Sequence, residues 1–222
     1  IAEESGDIYS KSFACGCHGI SCYGMGFLEE AKTLFLNGID LTNKIDHHYW
    51  NADDNQFLAE IYYEMGKYQM AKDHYEKAIK SIERIGWLPS WINFNKIAIA
   101  RAKVMNHEKD IDLESLYSFI PKNKVKLYEG WIQRYIGEIL LNIDDQHTSE
   151  AEHWIQKAIE ADQRNRMMFH LGKDYVLYAE LFRRKGDILK AQENLGRAIE
   201  IFKECGADGW VEKYEKELAA IS

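Results

Sequence analysis

Apolar residues along the chain recur three and four positions apart, and small residues recur at longer, fixed intervals. Ala71 and Ala78 stand seven residues apart, and the same pairing returns as Ala31 and Gly38, Ala151 and Ala158, and Ala191 and Ala198. The first members step by 40, 80 and 40 residues, and the double step predicts a degenerate unit near Ile111 and Ser118. Gly19, Ala59 and Ala179 lie twelve residues before Ala31, Ala71 and Ala191, and Gly137 lies fourteen before Ala151, across a longer turn at 144–148. Three residues after each small position come Cys22, Tyr62, Leu140 and Phe182. Turn glycines follow at Gly26, Gly66 and Gly186, and bulky Phe35, Tyr75, Ile155 and Leu195 fall inside the next segment. Two helices that pack closely need small residues where they cross and bulky ones beside the crossing. Glycine supplies the left-handed backbone that ends one helix before a tight turn. Repeated at fixed spacing, such pairs bury each other's apolar faces.

The periodicity predicts helices over 8–24, 27–45, 48–65, 68–85, 89–106, 112–119, 122–142, 148–164, 168–185 and 188–205, with a closing helix over 208–220. These group into units 8–46, 47–87, 88–120 (degenerate), 121–166 and 167–206, with a cap over 207–222, all in one domain. Pro121 separates a short helix from the next. Val211, Tyr214 and Leu218 give the last helix one apolar side, as an end cap requires. The opening residues, up to Gly6, read as the tail of a helix, and the chain as a segment of a longer protein.

The stretch 58–79, through Ala59, Tyr62, Gly66, Ala71, Tyr75 and Ala78, resembles the tetratricopeptide repeat almost throughout. Residues 178–198 match nearly as well, the first and fourth units match in part, and the third is recognisable by phase alone. That family's period is about 34 residues, and HEAT and armadillo repeats run to about 40–47. The order of small, large, glycine and alanine favours the tetratricopeptide pattern, with longer second helices or connections. The resemblance implies an all-α fold, a right-handed superhelix of about five stacked helix pairs with a C-terminal capping helix. Segments 135–140, 159–165 and 198–210 also resemble the C-terminal repeats of large bacterial signalling proteins. In those proteins an adenylate/guanylate cyclase or protein kinase domain and a regulatory ATPase domain precede the repeats. The resemblance implies a cytoplasmic sensory or scaffolding arm of such a protein.

Composition narrows the function. The 36 acidic residues against 28 basic ones give a net charge of −8, which disfavours nucleic acid and anionic membranes as partners. No apolar run approaches the roughly 18 residues of a membrane span. The four cysteines are Cys15, Cys17, Cys22 and Cys205, and three crowd into one predicted helix, which is no disulfide framework and suits a reducing cytoplasm. No phosphate loop, nucleophile elbow, kinase signature or carboxylate pair appears, so the segment reads as a binding module without catalysis or cofactor.

Cys15, His18 and Cys22 are the nearest approach to a metal or redox cluster. On one helix Cys15 and Cys22 stand two turns apart, about 10 Å, so a site needs a ligand from elsewhere, with His47 or His48 as candidates. No metal is assigned on this pattern. The run His47-His48-Tyr49-Trp50 reads as a helix start. The phase of the first helices assigns a concave groove Asp53, Gln56, Glu60, Tyr63 and Glu64 from the second unit. It assigns Trp131, Arg134, Glu138 and Asn142 from the fourth, and Lys173, Val176, Glu180, Arg183 and Arg184 from the fifth. Tyr63 and Trp131 are the expected anchors for a protein or peptide. Other domains of the same polypeptide are equally candidate partners. A second reading is a homodimer, resting on expected exposed aromatics at Trp87, Trp91 and Trp210.

Overall fold

The computed structural model describes residues 6–108 and 110–221. The expected helix tail before Gly6 falls on residues 1–5, outside the described residues. Eleven α-helices account for most of the described residues. They group into two compact units, which divide after Glu108.

The first unit holds α1 (Ile8–Met25), α2 (Leu28–Lys44), α3 (His48–Glu64), α4 (Tyr68–Ile85) and α5 (Pro89–Met105). Each packs on the next, and α1 also touches α3. Asp7 starts α1 by accepting hydrogen bonds from the backbone of Tyr9 at 3.2 Å and Ser10 at 2.9 Å. Gly26 ends it at φ +89°, a left-handed conformation that turns the chain back as α2. The sequence markers meet as expected. Ala31, Ala71, Ala78, Phe35 and Tyr75 are wholly buried. Gly19 lies under the Phe35 ring so closely that a Cβ would stand 2.8 Å from it.

The second unit holds α6 (Leu113–Phe119), α7 (Glu129–Ile143), α8 (Thr148–Asn165), α9 (Met168–Arg184), α10 (Ile188–Glu204) and α11 (Asp208–Ile221). Consecutive helices pack from α7 onward, and α7 also touches α9. Gly137 faces Ile155 and Gly172 faces Phe202 in the same small-against-large manner, each with a Cβ position 2.8 Å away. The closing helix buries Trp210 and Tyr214 against Phe202 and leaves a charged outer face, as a cap should.

Helix limits match the expected ones closely except at α7, which starts at Glu129 instead of residue 122. The side chain of Asn123 accepts from the backbone N–H of Val125 at 3.1 Å and donates to its carbonyl at 2.9 Å. That local turn competes with the helix. A single 3₁₀ turn over Lys126–Tyr128 then leads into α7. Of the degenerate 88–120 unit, α5 belongs to the first compact unit and the seven-residue α6 to the second.

Candidate protein-interaction surface

The first two turns of α1 and the first turns of α3 and α5 place a run of aromatic residues side by side in the first unit. Tyr9 and Tyr49 are one repeat period of 40 residues apart, so both occupy the same turn of successive first helices. His47 caps α3 by accepting from the Trp50 backbone N–H at 3.3 Å. Its ring lies 5.3 Å from that of Tyr9. Phe13 meets the Trp50 ring edge-on at 5.0 Å, and the Trp50 indole N–H donates to the Tyr9 hydroxyl at 3.4 Å. Tyr49 stands edge-on to Trp50 at 5.0 Å and to Trp91 of α5 at 5.3 Å. Trp91 is buried and fixed by donating its indole N–H to Gln56. Tyr9, Phe13 and Tyr49 are 43–47% exposed. The ladder therefore has a buried foot and an open top. Rigid, half-exposed aromatics with few rotatable bonds are the side chains that dominate protein interfaces.

The residues assigned to a groove divide differently from the expectation. Glu60 is buried and accepts from the Tyr75 hydroxyl, with Arg101 at 3.3 Å. The Arg101 guanidinium lies 3.4 Å from the centre of the Tyr63 ring, so Glu60 and Tyr63 sit in the joint between α3 and α5. Trp131 is buried on His170 at 4.5 Å. Arg134 donates to Asp174 at 2.9 Å and to the His170 carbonyl at 3.2 Å, in the joint between α7 and α9. Burial opposes the Arg134 charge, but Asp174, Tyr135 and Asp162 hold its pKa above the ordinary value. Burial, with Arg134 and Lys173, drives His170 well below its ordinary range, so its ring stays neutral. Lys173 is buried with its ammonium 3.5 Å above the Trp210 ring, in the joint between α9 and α11.

Glu64 is half-buried, and Arg183 and Arg184 are exposed. Arg183 pairs with Glu180 at 2.6 Å, while Arg184 donates to the Leu141 carbonyl at 2.6 Å and to Asn142 at 2.7 Å. A first helix in a stack is flanked by other first helices, and phase alone does not separate its flanks from its open side. Trp87 is 69% exposed, but Trp91 and Trp210, expected to be exposed, are buried. His18 and Cys22 gather with Glu30 of α2, while Cys15 falls outside that group.

Residues 14–84 match the tetratricopeptide repeat family model. The match runs from within α1 to the end of α4 and takes in the first two helix pairs. The family is one of non-catalytic protein-interaction modules. No curated protein matches the chain. Among the described residues no helix is long and apolar enough to cross a membrane.

Proposed function

We propose that this chain is a protein-binding module whose first unit docks an apolar segment of a partner protein on the Tyr9–Phe13–Tyr49–Trp50 ladder. One observation carries the reading. Four aromatic side chains from two helices are held edge to edge by packing and hydrogen bonding, yet three of them keep nearly half their surface open. Ordering them costs a partner little entropy, and covering them removes apolar surface from water. Glu64, half-buried at the end of α3 in the same unit, adds a charge that orients a partner through charge complementarity. The resemblance to bacterial signalling proteins makes the partner a protein or another domain of the same polypeptide, in the cytoplasm.

Selection of a displayed random-peptide library on the purified chain tests this reading. Selected peptides should be rich in aromatic and aliphatic residues and bind Phe13→Ala and Tyr49→Ala at least about tenfold more weakly than the parent. Peptides that bind both variants as well as the parent would sink the proposal. A second reading is that two copies meet through this ladder. It predicts a sedimentation coefficient that rises with concentration for the parent and stays constant for Phe13→Ala.

A further inference from the structure

The first helix pair departs from the others at two positions. Where other first helices carry Leu58 and Tyr62, Ile136 and Leu140, or Tyr178 and Phe182, α1 carries His18 and Cys22. At the position held by Met70, Glu150 and Lys190 in other second helices, α2 carries Glu30, and only in the first pair does that carboxylate stand beside a histidine and a cysteine. The fold itself brings these positions together. In the last pair the rings of Tyr178 and Phe182 stand 4.7 Å apart, and the Lys190 ammonium lies 5.1 Å from the Phe182 ring centre. In the first pair the same neighbourhood holds an imidazole, a thiol and a carboxylate. Their donor atoms all lie within 4.8 Å of one another.

We propose that His18, Cys22 and Glu30 form a binding site for a divalent cation of the zinc type, with a fourth position left to water. His18 and Cys22 are four residues apart on α1 and so share one face, one turn apart along the axis. Glu30 comes from the first turn of α2, across the tight turn at Gly26. It supplies the ligand from a second element that α1 alone lacks. One sulfur, one nitrogen and one oxygen around an open position are a donor set that zinc accepts, and the thiolate disfavours magnesium and calcium. Tetrahedral ligands at zinc bond lengths stand about 3.5 Å apart, so closure requires a shift of about 1 Å. His18 and Glu30 are exposed and can make that shift by side-chain rotation. His18 also lines an open cleft of about 530 Å³ between α1 and α2, which gives an ion a route in. Burial, and then Glu30, push the Cys22 thiol up, so the thiol is neutral until a cation arrives. Formation of the metal–sulfur bond releases that proton to solvent. The ion then clamps α1 to α2.

The probe is cobalt(II), added to the reduced, chelator-treated full chain without oxygen, with zinc as the displacing ion. The parent should bind a single equivalent and show a thiolate-to-cobalt charge-transfer band that zinc removes. Cys22→Ser should lose the band, while Cys17→Ser and Cys205→Ser keep it. His18→Ala and Glu30→Gln alter exposed residues, so helical circular dichroism should stay at the parent level while affinity falls more than about tenfold. Absence of the band in the parent overturns the proposal. So does a band that survives Cys22→Ser, or parent-level affinity in both His18→Ala and Glu30→Gln.

Discussion

Asp54 is the most poorly accommodated side chain of the first unit. It is wholly buried, and among the described residues neither carboxylate oxygen has a hydrogen-bond partner. Burial, together with Asp53, pushes its pKa from 3.8 up to about 8. Between pH 4 and 8 the folded chain therefore holds a proton that the unfolded chain has released. Stability falls as pH rises through that window, because the unfolded state binds fewer protons. Asp53, pushed up to about 6 by burial, acts in the same sense over a narrower range. Asp54→Asn should flatten the decline and stabilise the fold at pH 8 by on the order of 2 kcal/mol. Urea midpoints at pH 5 and pH 8 check this; parallel pH dependence in parent and variant would refute it. The space around Asp54 is made by glycine. A Cβ on Gly38 would stand 2.4 Å from one of its oxygens. Gly38→Ala should therefore destabilise by about 1–3 kcal/mol even though alanine favours the helix. A higher melting temperature for that variant would show that the site has room.

At the scale of elements, the joints between neighbouring first helices are held by buried charge. Arg101 spans α5 to α3, meeting Glu60 at 3.3 Å and the Tyr63 ring at 3.4 Å. Arg101→Ala leaves Glu60 buried without its cation and should cost about 3 kcal/mol. Arg184→Ala, which removes an exposed arginine, should cost under about 1 kcal/mol. Equal losses in chemical denaturation would contradict this distinction. The helices themselves were legible because each pair repeats one packing rule: Gly19 under Phe35 and Gly137 under Ile155 follow from spacing alone. The joints were not, because their partners lie in different repeats. Glu60 and Arg101 are separated by 41 residues, Arg134 and Asp174 by 40, and Asn142 and Arg184 by 42. Pairing residues one period apart would have found them. The start of α7 was missed because the Asn123 turn is a local competitor that helical periodicity does not register.

On the whole molecule, the proposed binding surface lies where packing leaves aromatic side chains open to solvent. The sequence pointed to the first helices but to their buried flanks. The ladder stayed hidden because it starts at helix N-termini, where turn residues and aromatics look alike. The 40-residue recurrence of Tyr9 at Tyr49 was its one visible signal. The six tryptophans report on this directly, since each indole N–H gives its own resonance and they sit in distinct settings. Trp50 lies in the ladder, Trp131 and Trp210 are buried in the second unit, and Trp87 is exposed outside it. The decisive measurement is the indole region of a proton–nitrogen correlation spectrum during titration with a peptide selected on the parent chain. Trp50 should shift in a saturable way, with Trp91 beneath it, while Trp131 and Trp210 stay in place. Shifts confined to Trp87, Trp131 or Trp210, with Trp50 unmoved, would contradict it.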